Sequence, residues 1–276
     1  MFFDRRLHMT VVTGMVLLLA LAWSGCRLLG LSPRYRVQET RTPLQVGDAT
    51  VDVVVHETDA PGLTFINLHD NEDTSVRASL KVIRNHGGRL IELQHTGERN
   101  VVFSLGDSTY TFDPNRIFTD RGIAATLDAL GAYSGEAHDA VRRFAQTLLS
   151  FYDLKRGTAV VTAHNNGEGE YSALSYTAGR EYEHDAAQVY VADGSDPDDF
   201  FFVTDPAVFA SLREAGYNVV LQDNAQVTDD GSLSVYAGRS GLVYVNVEAQ
   251  HGHLKQQVGM MVFLHGLLHA RSRPEV

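Results

Sequence analysis

"LTFINLHDNEDTSVRASLKVIRNHGGRLIELQ", residues 63–94, decides how this chain folds. "LTFINLH" is a short apolar run with aromatic and β-branched residues, the pattern of a buried strand. From Thr74 onward the apolar positions change spacing. Val76, Leu80, Val82 and Ile83 share one helical face, and the pair Gly87-Gly88 stops the helix. "GRLIELQH" is a second strand. Strand, helix and strand within about 35 residues make a βαβ unit, whose two strands must run parallel. His69, Asp70, Asn71 and Glu72 stand where the first strand meets the turn. A solvated loop accounts for them in isolation, so a functional reading needs partners elsewhere in the chain.

Outward from this unit the same alternation continues. Upstream, "YRVQE" and "ATVDVVVHE" flank "QVGD" and read as a hairpin. Downstream, "NVVFSL" and "STYTFD" are short strands around Gly106, followed by helices over Gly122 to Leu130 and Glu136 to Tyr152. "GTAVVTAH" and "DDFFFVTD" read as strands, "PAVFASLREAG" as a helix, "YNVVLQD", "SLSVYA" and "LVYVNVEAQ" as strands, and Leu254 to Ala270 as the last helix. "DGSDPDD" lacks a regular calcium-loop pattern and reads as a turn. Asp229-Asp230-Gly231 reads as a hairpin turn. No linker and no repeat interrupts the pattern. The expected fold is one three-layer α/β/α domain over residues 34–276, with a mixed, mostly parallel central sheet.

Residues 1–26 are different in kind. Arg5 and Arg6 precede an apolar stretch from Met9 to Trp23, and Ser24 and Gly25 lead to Cys26. That is the anatomy of an export signal, too short for a typical membrane span. Cys26 is the only cysteine, so no intramolecular disulfide forms. Its position resembles the lipobox of bacterial lipoproteins, although Trp23 stands where leucine is usual. The expected location is the periplasm or cell envelope, with Cys26 the candidate for lipidation and membrane attachment. The formal net charge of -11 argues against nucleic acid as a partner.

Three strands end in related chemistry. "TFINLH" ends in His69 with Glu72 three residues on, "AVVTAH" ends in His164, and "VYVNVE" ends in Glu248. Strand C-termini of an α/β sheet converge on one edge, where such folds bind ligands. Two imidazoles and a carboxylate make a catalytic zinc set with a position left open, and a further carboxylate can serve as general base. His265 and His269, at i and i+4 on the last helix, read instead as a solvated helix face.

"TFDPNRIF", residues 111–118, joins this set. Together with "HDNE" and His164 it resembles the zinc metallocarboxypeptidases and the related succinylglutamate desuccinylase and aspartoacylase group. Those families carry an H-x-x-E pair, an Asp-x-Asn-Arg segment closely followed by Phe, a distant second His and a late Glu, in the order found here. The resemblance spans roughly residues 50 to 270 and implies a zinc carboxypeptidase-like fold. It implies one zinc ion per chain, held by His69, Glu72 and His164, with Asp113 orienting a ligating histidine. It makes Asn115 and Arg116 the grip on a substrate carboxylate, Arg99 the group that polarises the scissile carbonyl, and Glu248 the general base. Pro114 departs from the apolar residue usual at its position. For the tyrosine that covers the substrate, Tyr236 and Tyr244 are the candidates.

The expectation is therefore an exported zinc-dependent metallopeptidase or amidohydrolase that cuts an amide bond next to a carboxylate. A carboxypeptidase acting on short peptides, such as those of the cell wall, is the first form. A deacylase of N-acyl amino acids is the second, and a binding protein that keeps the fold without turnover is the third.

Overall fold

Phe200, Phe201, Phe202 and Val203 form an unbroken apolar run that only a strand covered on both faces accommodates, and the computed structural model buries all four. Residues 35–152, 154 and 159–271 are described. The expected export segment and Cys26 lie outside them. Phe200 and Phe202 join one core with Ile66, Ile91 and Val160, while Phe201 and Val203 join another with Phe65, Leu90 and Val161. Each fully buried side chain of this size contributes about 1.5–3 kcal/mol. Two cores on opposite faces of one sheet make three layers.

The strands are β1 (Val37–Val46), β2 (Ala49–Thr58), β3 (Thr64–Asn67), β4 (Arg89–Gln94), β5 (Val101–Leu105), β6 (Ser108–Phe112), β7 (Ala159–Asn166), β8 (Ala186–Tyr190), β9 (Phe200–Val203), β10 (Val219–Gln222) and β11 (Val243–Gln250). The helices are α1 (Asp73–His86), α2 (Asp120–Ala129), α3 (Gly135–Tyr152), α4 (Pro206–Glu214), α5 (Leu233–Arg239) and α6 (Leu254–Arg271). Nine strands form one sheet in the order β1-β2-β4-β3-β7-β11-β9-β10-β8, and β5 pairs with β6 alone. Helices α2 and α3 contribute Ile123, Leu127, Val141 and Phe144 to the first core, and α1, α4 and α6 contribute Val82, Leu212 and Met261 to the second.

The βαβ unit is present: β3 and β4 pair in parallel across α1. The centre of the buried face of α1 is small, with Ser75, Ala78 and Ser79 buried and Val76 and Leu80 on its flanks. Small residues let α6 approach, and Ser79 Oγ lies 3.9 Å from Met261 Sδ.

The sheet is mixed but not mostly parallel. Pairs β4–β3, β3–β7, β7–β11 and β9–β10 are parallel, and the other four of the eight neighbour pairs are antiparallel. At one edge the two-residue turn between β1 and β2, with Gly47 at φ +57°, can only return the chain antiparallel. In the other half of the sheet, the long connection after β7 brings β9 in beside β11 from the opposite end. Two local expectations fail as well. "SLSVYA" belongs to helix α5, capped by Ser232, whose side chain accepts from Val235 N. Asp229-Asp230-Gly231 is accordingly the approach to that helix and no hairpin turn. The edge strand β8 has no counterpart in the expected pattern. Among the described residues no helix is long and apolar enough to cross a membrane.

Candidate metal centre and cleft

Strands β3, β7 and β11 run parallel, so their C-terminal ends share one sheet edge. The two-residue period of a strand puts Thr162 and His164 on the same face of β7, and Tyr244, Asn246 and Glu248 on that face of β11. The register aligns His164 with Glu248 and Thr162 with Asn246. His69 lies two residues past the end of β3. A tight turn follows, in which Glu72 N donates to His69 O at 3.2 Å, and Glu72 becomes the residue at the N-terminus of α1. Its carboxylate does not cap the helix. Asn165 Oδ1, on β7, accepts from Ser75 N at 2.8 Å instead, which frees Glu72 to face the histidines.

The three side chains meet. Glu72 Oε1 lies 2.6 Å from His69 Nδ1, Glu72 Oε2 lies 2.9 Å from His164 Nδ1, and the two Nδ1 atoms are 3.2 Å apart. They are 1% (His69 and Glu72) and 5% (His164) exposed, so little water reaches them. His69 Nε2 lies 2.8 Å from Asp113 Oδ1. A carboxylate can only accept there, so Nε2 carries a proton, and Nδ1 is the nitrogen turned toward Glu72 and His164, where it can take a metal ion in place of its own proton. Two imidazoles and an acid facing one another in a dry site are balanced by a cation, either a proton on His69 or a metal ion that replaces it. The chemistry and spacing of the donor set fit a metal ion.

The β5–β6 hairpin supplies the next layer. Arg99 precedes β5 and Asp113 follows β6, so both emerge from the base of the hairpin. Arg99 bonds Glu72 Oε1 at 3.0 Å and Asp113 Oδ2 at 3.2 Å. Asp113 is held by its own N–H to Thr126 Oγ1 and accepts from Asn115 N at 2.7 Å. Burial alone would lower the His69 imidazole, but Glu72 and Asp113 carry it up to about 9 without a metal. Burial opposes ionisation of Glu72 and Asp113 too. His69 and His164 hold Glu72 well below the usual carboxylate range, and His69 and Arg99 do the same for Asp113. Burial depresses His164.

Glu248 is buried beside this set and accepts from Asn246 Nδ2 at 2.9 Å. Burial, reinforced by Glu72, pushes its carboxyl up to about 8. From the opposite face of the sheet, the fully buried Gln257 of α6 donates to His164 O at 2.9 Å and Val247 O at 3.1 Å, tying β7 to β11 behind the site.

His69, Glu72, Arg99, His164, Asn246 and Glu248 border one cleft of ≈ 790 Å³, which Asn115 and Arg116 also line. Asn115 Oδ1 accepts Leu233 N at 3.0 Å, and Arg116 Nη1 donates to Asn115 O at 2.8 Å. Tyr171, Tyr176 and Tyr182 line the cleft without having been singled out in the sequence. They come from the connection between β7 and β8, where only their clustering hinted at shared work. Of the two tyrosines that were singled out, Tyr244 is buried with its hydroxyl 2.7 Å from Thr162 Oγ1, and Tyr236 packs on Phe118. His251 lines the cleft, while His253 is bonded to Asp199. Asp70 is absent from the site, because its Oδ2 accepts His95 N and Gly97 N. Asp196, Asp199 and His253 also stand within metal-binding range of one another, where two more exposed turns meet.

No protein-family model and no curated protein matches this chain.

Proposed function

We propose that this chain is a zinc-dependent hydrolase that cleaves an amide bond next to a carboxylate, acting on short peptides in the manner of the zinc metallocarboxypeptidases. The observation that carries the reading is the buried meeting of His69 Nδ1, His164 Nδ1 and Glu72, with His69 Nε2 tied to Asp113. Two histidines and one glutamate make a catalytic zinc set, because three protein ligands leave a position open. A zinc ion held there would supply Lewis acidity. Glu248 is the proton carrier: it takes a proton from the attacking water and passes it to the leaving nitrogen. The water oxygen ends on the acyl fragment as a carboxylate, and the amine departs with the proton. Arg99 stabilises negative charge that develops on the carbonyl oxygen. Arg116 and the amide of Asn115 hold the substrate carboxylate through charge-assisted hydrogen bonds. The export signal read in residues 1–26 leads us to propose the cell envelope as the place of action and cell-wall peptides as substrates.

The test compares free-acid and C-terminally amidated peptides, with wild type and Arg116→Ala, each supplied with zinc. Wild type should prefer the free acid, and Arg116→Ala should lose that preference by slowing the free acid at least tenfold more than the amide. Equal rates on both peptides with wild type would refute the carboxylate grip. Hydrolysis of N-acyl amino acids with every peptide left intact would establish the deacylase instead, and binding without any turnover the non-catalytic form.

A further inference from the structure

A cleft that only grips a carboxylate has no use for an acid beside its arginine, yet Asp230 Oδ2 lies 3.4 Å from Arg116 Nε. Their side chains are 39% and 37% exposed, so the pair adds little to folding. The contact is single and long, unlike the paired hydrogen bonds of an arginine and carboxylate that satisfy each other. Both residues are also held from behind. Asp230 Oδ1 accepts Ser232 N at 2.9 Å, and Arg116 Nη1 donates to Asn115 O. This points to Arg116 Nη2 and Asp230 Oδ2 as the atoms offered to the cleft.

The backbone fixes their separation. Gly122 and Gly231 pack back to back, and Phe118 N donates to Gly231 O at 2.9 Å. A Cβ on Gly231 would lie 2.3 Å from Arg116 O, and Gly231 has φ +79°, where side chains are strained. The turn carrying Arg116 and the segment carrying Asp230 are therefore locked together. The wider field agrees with a ligand that carries a cation. The cleft is lined by six carboxylates (Glu72, Glu170, Glu181, Asp185, Asp230 and Glu248) against two arginines. Even with a divalent metal bound it repels a purely anionic substrate.

We propose that Arg116 and Asp230 form a clamp for a zwitterion, a free α-amino-acid head group whose carboxylate bonds Arg116 and whose ammonium bonds Asp230. In an amino acid these two groups sit on one carbon with N and O roughly 3 Å apart, close enough for both to reach an arginine and an acid that stand side by side, as Arg116 and Asp230 do. The inference rests on the amide-hydrolase reading and its carboxylate grip, and moves the scissile bond from the nitrogen next to the carboxylate to a more distant one. An ammonium held by Asp230 is not the nitrogen of the scissile amide. The leaving nitrogen is then a second amine of the same amino acid. The substrate class is an acyl or peptidyl group in isopeptide linkage to the side-chain amine of a diamino acid whose α-amino and α-carboxyl groups are both free. Hydrolysis delivers the water oxygen to the acyl carbon and a proton to the side-chain nitrogen, and releases the free diamino acid.

The test uses the full chain loaded with zinc. Substrates are Nε-alanyl-lysine and Nδ-alanyl-ornithine, their Nα-acetylated counterparts, and the α-linked dipeptide alanyl-lysine. Wild type should favour a zwitterionic isopeptide over its acetylated form by at least tenfold in kcat/KM. Asp230→Asn should abolish that preference, and Gly231→Ala, which moves the acid without removing it, should reduce it. Calorimetry with free lysine, free ornithine and their Nα-acetyl derivatives reads binding apart from turnover. Asp230→Asn should weaken the free amino acid at least tenfold and leave the acetylated form unchanged. Cleavage of alanyl-lysine with no preference for the zwitterion overturns the clamp and leaves the hydrolase standing. Binding that depends on Asp230 without hydrolysis of any compound supports the clamp and overturns the hydrolase. Binding indifferent to both Asp230 and the α-amine overturns the clamp whatever is hydrolysed.

Discussion

Replacing Glu248 with glutamine should make the metal-free protein more stable at alkaline pH. The side chain is 4% exposed, and burial, with Glu72 nearby, raises its carboxyl from 4.5 to about 8. In the unfolded chain it titrates near the lower value. Between the two the folded protein keeps a proton that the unfolded chain has lost, so stability falls as pH rises through this window and is level above it. The span is about 3.5 pH units, which at ~1.36 kcal/mol per unit sets a ceiling of about 5 kcal/mol. About 4 kcal/mol of this falls between pH 5 and pH 9. Glutamine keeps the size and polarity and has no charge to bury.

The measurement is urea unfolding of EDTA-treated wild type and Glu248→Gln across that range, and the difference between the two removes every titration they share. Circular dichroism is the appropriate probe, because the only tryptophan, Trp23, lies in the N-terminal segment. The variants should be nearly equal at pH 5, with the glutamine form ahead by up to about 4 kcal/mol at pH 9. Zinc should flatten the difference, since a cation beside Glu72 favours the ionised Glu248. A difference that stays flat without metal would mean that Glu248 is hydrated, and the argument from burial would be wrong.

The metal centre makes two further claims. The protein should carry about one zinc per chain, and His69→Ala or His164→Ala should lose most of it by elemental analysis, because two remaining donors do not close the site. Asp113→Asn should keep the fold, since a polar side chain still accepts from Asn115 N, but lower zinc affinity by roughly 10–100-fold in a chelator competition, because the partner of His69 Nε2 is no longer a full anion.

The meeting of His69, Glu72 and His164 was legible because both histidines follow apolar runs that can be read as strands, with Glu72 one turn beyond the first of them. His69, His164 and Glu248 each close such a run, and parallel β3, β7 and β11 carry them to one edge. The far side of the cleft was less legible, because long connections and a short helix build it. Helix α5 spans seven residues, too few to display a helical period, and "SLSVYA" alternates like a strand. The signals that identify it lie outside the apolar pattern: Ser232 at its start, and Gly241 beyond its end with φ +65°. Leu242 N donates to Ala237 O and Gly241 N to Gly238 O, the bond pair of a Schellman motif, for which a glycine in that position is the mark. The mostly parallel sheet failed for a different reason. Alternating helices and strands suggest parallel pairing, but the direction in which β9 enters depends on the path of a long connection that no local pattern encodes.

Reading α5 as a strand also hid what orients Asn115. An amide side chain in a cleft can offer either its oxygen or its nitrogen. The N-terminal residue of α5 decides the matter, because Leu233 N donates to Asn115 Oδ1 at 3.0 Å. With the oxygen so engaged, the group that Asn115 offers a ligand is its NH₂ donor. Donors from Asn115 and Arg116 then stand side by side in one three-residue turn, Pro114–Arg116, and only an acceptor-rich group such as a carboxylate satisfies both. The same segment that leads into α5 carries Asp230 to the other side of Arg116. One short helix thus fixes a donor pair and an acid around a single point of the cleft, and under the proposed function the order of charges there, more than the metal, would decide which amides the site accepts.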